Sequence, residues 1–353
     1  MAGGRGAGVP GPRSEAAGEL PIVLLPVAVD DHVLDACLAA LDAGTPAGTR
    51  VWLADDAQSG PRGYAIIERW IARTPLRADY TRRPRAIGQV AHLDEMLKAC
   101  GDADVIVLAP DAIPAPGWAT QLSACFARDA AIATATPWCN AGETAAWPRC
   151  GEVAMIPADL ERVAEAAASM PALHPELPAA VDHAVLLRGS ARRKAGGLDA
   201  ASYASWYAAL IDLSLRLSGL GWRNALCETA FVARGGEGGP ADGDLDALAA
   251  RWPAWHSRLA NFLMHDPLAA TRAALSRLER DVGAPQAQRD LFPSHGRDAT
   301  PLADVSPASP AHGIDAAPAS APNAGPAERD AAAADVGSSS HPLPGEDPVQ
   351  ARS

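Results

Sequence analysis

No run approaching the roughly 18 apolar residues of a membrane span occurs in the 353-residue chain, so no membrane-spanning helix is expected. The N-terminal MAGGRGAGVPGPRSEAAGEL carries an arginine or two but lacks the apolar segment of a secretion signal. A soluble, cytoplasmic protein is therefore expected, with peripheral membrane association through a partner left open. Positive charge is also scarce: the formal net charge is −12 and the arginines are scattered. Without a basic stripe there is nothing to grip a phosphate backbone, which excludes a nucleic-acid partner.

Paired cysteines are missing. Cys37, Cys100, Cys125, Cys139, Cys150 and Cys227 lie far apart with no C-x-x-C, which points to reduced thiols and away from a zinc site or a disulfide framework. No strand signal runs into a glycine-rich phosphate loop that opens a helix, so dinucleotide oxidoreductase and NTPase readings have no anchor. Asp182 beside His183 could form a hydrolytic dyad. Neighbours in a strand point to opposite faces, however, and no serine or cysteine sits in a nucleophile elbow.

What is present is an alternation of strand and helix signals between two biased tails. Residues 1–19 are Gly/Ala/Pro-rich and read as a disordered arm, and residues 284–353 as a disordered Ala/Pro/Ser-rich tail. Between them, PIVLLPVAV (21–29) and TRVWLADD (49–56) are short apolar strand signals flanking HVLDACLAALDAG, whose helical spacing stops at Gly44. That is a βαβ unit. GYAIIERWIART predicts a second helix, LRADYTR a weak strand, IGQVAHLDEMLKACG a third helix and ADVIVLAP another strand. The pattern implies an α/β fold with a mostly parallel central sheet and helices on both faces.

Ligands of open α/β sheets bind beyond the carboxyl ends of the strands. Asp55, Asp56 and Asp111 all fall there, although an aspartate after a strand is also an ordinary turn or cap residue. Further on come a helix entered at Pro116-Gly117, a strand, a loop around Asn140 to Glu143, a strand over 180–188 and a basic helical turn stopped by Gly196-Gly197. Then follow a helix in SYASWYAALIDLSLRLSGLGWRN, a strand in ALCETAFVARGG, and two closing helices split at Asp266-Pro267.

In order along residues 20–280, these segments resemble the GT-A family 2 glycosyltransferases, and most closely their bacterial rhamnosyltransferase-like branch. LLPVAV is similar to the family's VVPVYN, and WLADDAQS to VVDDAS, whose aspartates contact the nucleotide base. ADVIVLAPDAIPAPGW resembles DVVLLNSDTEVPPGW, which places Asp111 on the last carboxylate of the family's DxD motif. ATATPWCNAGE is similar to the segment under the acceptor site, and GWRNALCETAFVARGG to GWRNVLAPDAFVYHEGG.

The resemblance implies a GT-A fold with a nucleotide-binding half at 20–118, an acceptor half at 119–240 and C-terminal helices at 241–283. It also implies a nucleotide-diphosphate sugar donor, a saccharide acceptor of a bacterial surface polymer, and inversion at the anomeric carbon. Asp55, Asp56, Asp111 and Arg234 would hold the donor, with a divalent metal (Mn or Mg) at Asp111. A leaving diphosphate gains about two negative charges that a cation or a fixed guanidinium must balance.

Several positions depart from the family pattern, among them Ala109 at the first position of the DxD. Where the family has two adjacent acids, one of them the expected base, this chain has Ala209 and Leu210; Asp212 and Arg216 survive. Asp212 is then the displaced base, or simply the i,i+4 partner of Arg216. The metal-binding histidine aligns with Arg234, which cannot ligate a cation but could lay its own charge against a diphosphate. These losses leave a second expectation open: a catalytically inactive GT-A domain that binds a sugar nucleotide or a partner.

Overall fold

The computed structural model describes residues 20–236 and 238–283; the arm expected over 1–19 and the tail expected over 284–353 lie outside them. The first half is built as the sequence pattern predicts. It runs β1 (Ile22–Pro26), α1 (Asp31–Gly44), β2 (Arg50–Asp55), α2 (Pro61–Ile71), β3 (Arg77–Arg82), α3 (Gln89–Ala99) and β4 (Val105–Leu108). Asp30 starts α1 by accepting hydrogen bonds from the amides of His32 and Val33, which otherwise have no partner in a first turn.

A three-residue strand, β5 (Ala112–Pro114), follows, and then α4 (Trp118–Arg128), β6 (Ile132–Trp138), a 3-10 turn at Glu143–Ala145 and α5 (Leu160–Ala168). The chain continues through β7 (Ala184–Leu187), α6 (Gly189–Ala195), α7 (Trp206–Gly219), β8 (Arg223–Arg234), α8 (Asp244–Arg251), α9 (Trp255–His265) and α10 (Ala269–Gly283). The pattern in the sequence had not pointed to β5, α5 or α8.

The strands form one sheet in the order β3-β2-β1-β4-β7-β6-β8-β5. Four of its pairings are parallel (β1 with β2 and β4, β2 with β3, β6 with β8), and β7 and β5 enter antiparallel. Period-2 alternation sends successive strand residues to opposite faces. Val23, Leu25, Ile106 and Leu108 pack with α1, α2 and α4, whereas Leu24, Val105 and Val107 pack with α3 and α7. A third cluster joins α5 and α10 to Trp138 of β6 and Phe231 of β8.

Because β4 and β7 are antiparallel with Leu108 opposite Ala184, the end of β4 meets the start of β7. Because β5 pairs with the end of β8, with Ala112 opposite Arg234, the same rim also receives the glycine-rich segment after β8. Three chain segments distant in sequence thus converge at one rim of the sheet, beyond the strand ends. No helix of the described residues is long and apolar enough to cross a membrane.

Candidate functional site

At the carboxyl ends of β1, β2 and β4 lies a cavity of about 250 Å³ whose lining includes Pro26, Val27, Asp56, Gly88, His92 and Pro110. Asp56 shapes its wall. Its Oδ1 accepts from the amide of Ile87 at 2.9 Å and its Oδ2 from that of Gly88 at 2.9 Å, which pins the loop entering α3. Gly88 has φ +95, a conformation that favours glycine. Burial lowers the pKa of His92 against the pull of Asp56, so the imidazole on this wall is neutral near pH 7.

Asp55 has a task within the fold rather than in the cavity. It is fully buried, and its Oδ1 accepts from the amides of Gln58 (2.7 Å) and Ser59 (3.3 Å), closing the turn from β2 into α2. Its Oδ2 accepts from the Tyr80 hydroxyl at 2.8 Å and lies 3.4 Å from the Arg82 guanidinium. Burial raises its pKa, but Tyr80 and the two amides outweigh that and hold it below the ordinary aspartate value.

One residue past Pro110, Asp111 faces Arg234. The guanidinium donates from Nε to Asp111 Oδ2 at 3.1 Å and from Nη2 to Oδ1 at 2.9 Å, and the Gly236 amide adds a bond of 2.9 Å to Oδ2. The other Arg234 nitrogen, Nη1, donates to Asp182 Oδ1 at 3.0 Å. Asp182 lies in the turn just before β7, and the arginine side chain between the two carboxylates is only 6% exposed. Asn140 fixes the arginine backbone, accepting from its amide at 2.9 Å and donating to its carbonyl at 3.2 Å.

Two acids around one buried guanidinium leave their marks on the pKa values. Burial pushes Asp182 up, against the pull of Arg234. Burial also works to lower Arg234, but Asp182 and Asp111 outweigh it and hold it above the ordinary arginine value. Gly238 covers the cluster closely: a Cβ there would lie 1.9 Å from Asp182 Oδ2 and 2.6 Å from Arg234 Nη1.

A divalent cation does not fit these residues. Both Asp111 oxygens already accept from Arg234, the ring nitrogen expected to share in binding is replaced by a guanidinium, and arginine offers no lone pair to a metal. Of the two expectations for this place, a divalent metal at Asp111 or Arg234 in its stead, the geometry described carries the Asp111–Arg234 pair.

Asp212 is not brought to this site. It is fully buried in α7, where its carboxylate takes Arg216 Nε at 2.8 Å, Trp252 Nε1 at 2.9 Å and Arg251 Nε at 3.2 Å. That is the partner role, widened from one arginine to two. A different acid shares a small cavity with Asp182: Glu143, from the 3-10 turn, with Tyr207 and Ile211 of α7. The Tyr207 hydroxyl donates to Glu143 Oε1 at 2.7 Å, and burial raises the pKa of Glu143 against that bond. His183 beside Asp182 is fully buried; burial and Arg234 drive its pKa down to about 3, against a bond to the Pro137 carbonyl at 3.1 Å.

No protein-family model matches the chain, and no curated protein sequence matches it either. Solved structures do. GalNAc-T7 with UDP, GalNAc and Mn2+ superposes with a TM-score of 0.51 at 12% identity over 76% of this chain, which spans only 55% of that one. Mannosyltransferase PcManGT from Pyrobaculum calidifontis, in complex with GDP-Man and Mn2+, gives a TM-score of 0.48 at 16% identity, covering 76% of this chain and 77% of that one. The fold is the GT-A fold expected from the sequence.

Proposed function

We propose that this chain binds a nucleotide-diphosphate sugar at the carboxyl rim of β1, β2 and β4 and transfers the sugar to a saccharide acceptor without a divalent cation. The observation that carries the reading is the bidentate Asp111–Arg234 pair beside Pro110 of the cavity wall. It fixes a guanidinium at the rim, where hydrogen-bond donors can meet a leaving diphosphate even though two carboxylates share its charge. The GT-A fold and the cavity beyond the strand ends support the same reading.

The cavity walled by Asp56 and Gly88 takes the nucleoside, and Arg234 turns its remaining N–H groups to the diphosphate. Glu143 is the acceptor-side base in place of Asp212. Its raised pKa suits proton transfer near neutrality better than an ordinary carboxylate does. The acceptor oxygen attacks the anomeric carbon, its proton passes to Glu143, and the nucleoside diphosphate leaves from the opposite face with the bonding pair, which inverts the configuration. The assignment of the acceptor to a bacterial surface polymer rests on the sequence resemblance alone.

One observation favours a second reading, a binding domain without turnover: Arg234 is already shared by two carboxylates, so less of its charge is left for a ligand. Incubation with UDP-, GDP- and dTDP-sugars in EDTA separates the two. Release of free nucleoside diphosphate that depends on acceptor supports transfer. Binding with no release supports the second reading, and neither binding nor release contradicts both.

A further inference from the structure

Away from the sheet rim, Cys125 of α4, Cys227 of β8 and His174 of the α5–β7 connection bring two sulfurs and a ring nitrogen within 4.8 Å of one another. Both cysteines are completely buried and His174 is 5% exposed. Buried cysteines alone are ordinary core residues. The histidine is not ordinary, because it is held from every side with one nitrogen left over.

Glu228 does the holding. Its Oε1 accepts from the amide of His174 at 2.8 Å and from that of Leu173, and its Oε2 lies 3.2 Å from His174 Nδ1. Arg223 donates to the His174 carbonyl at 2.8 Å. The residue sits at φ +51, a left-handed conformation uncommon for a side-chain-bearing residue and sustained only where neighbours over-determine it. A carboxylate that accepts from Nδ1–H orients the ring and leaves Nε2 as the nitrogen open to a metal. Nε2 is buried and has no hydrogen-bond partner among the described residues. A carboxylate orienting a histidine whose other nitrogen is unpartnered, with two thiols within 4.8 Å of the ring, is the arrangement that supports a metal ligand.

We infer that Cys125, Cys227 and His174 form a zinc site, with Glu228 as the positioning residue behind the histidine. Zinc prefers this mixed sulfur and nitrogen set, and about 2.3 Å to sulfur and 2.0 Å to nitrogen puts tetrahedral ligands roughly 3.5–3.8 Å apart, a contraction of only about 1 Å. Two thiolates balance the charge of the ion, which staples the α5–β7 connection to β8 and α4. Cys227 lies seven positions before Arg234 in β8, roughly 20 Å along an extended strand. The site is therefore separate from the candidate nucleotide site and does not depend on that reading.

The test is metal analysis of the full-length chain purified from zinc-supplemented medium, followed by exchange with cobalt. The inference expects about one zinc per chain and a near-ultraviolet sulfur-to-cobalt charge-transfer band in the exchanged protein. Cys125→Ser and His174→Gln should each lower zinc content several-fold while circular dichroism stays near wild type. Wild-type protein without stoichiometric zinc, whether Cys125 and Cys227 titrate as free thiols after unfolding or are found joined in a disulfide, overturns it. That reading needs no variant to fold.

Discussion

Asp111 and Arg234, 123 positions apart in sequence, meet as a bidentate ion pair because the short strand β5 lays Ala112 opposite Arg234. The pair is nearly enclosed, with Asp182 as its third member. Removing the guanidinium by Arg234→Ala leaves two unpaired carboxylates there and is expected to cost about 3–5 kcal/mol in urea unfolding. Arg234→Lys keeps the charge but cannot reach both acids in the same geometry, so it should recover only part of the loss.

Gly238 tests how closely the loop after β8 seals that cluster. Gly238→Ala places a methyl 1.9 Å from Asp182 Oδ2, whereas the position of Gly239 has nothing within 4 Å of a new Cβ. The first substitution should lower the melting temperature and weaken nucleotide binding about tenfold or more, or about 1.4 kcal/mol. Gly239→Ala should leave both near wild type. Calorimetric titration and thermal melts of the two variants side by side check the contrast.

Asp212, the base the sequence offered, is held as an ion-pair partner, and the proposed reading gives the base role to Glu143, to which the sequence offered none. Asp212→Ala strips a buried carboxylate from Arg216, Arg251 and Trp252 and should destabilise by about 3 kcal/mol or more. Glu143→Gln should fold normally and lose turnover by about 10²-fold or more, the scale of a general base. A base must be unprotonated, and burial raises the Glu143 pKa above the ordinary 4.5. Wild-type turnover should therefore be low in acid and rise as pH passes through that raised value, a limb that Glu143→Gln removes.

The first half of the fold was legible because apolar spacing, the Asp30 cap and the run of short strands are local signals. What the sequence did not disclose is the pairing between distant segments. A strand of Ala112, Ile113 and Pro114 has no periodicity of its own and exists only because β8 runs beside it. The α5 helix did carry a sign, Asp159 accepting from the Arg162 amide before Val163, but its alanine-rich face resembles the biased tails. Asp182 was visible only as the neighbour of His183. Its partnership with Arg234 spans 52 positions. Cys125, His174 and Cys227 likewise lack the close spacing by which metal sites are read from sequence, because a helix, a loop and a strand supply one ligand each.

His183 makes stability depend on pH in a defined direction. Its folded pKa, about 3, is depressed from 6.5, so the contribution is fully present above about pH 6.5. It is lost as pH falls towards 3, by about 1.4 kcal/mol per pH unit, as the unfolded chain takes up a proton that the folded one refuses. Urea unfolding near neutrality and near pH ~5 should show a steeper loss for wild type than for His183→Gln, which keeps a donor for the Pro137 carbonyl.

Calorimetric titration of UDP, GDP and dTDP into the full chain, once in EDTA and once in manganese, bears most directly on whether Arg234 stands where a cation would. The account predicts that the nucleotide that binds does so with a Kd unchanged to within about twofold between the two buffers. Binding that appears only with manganese, or tightens by more than about tenfold in its presence, contradicts it.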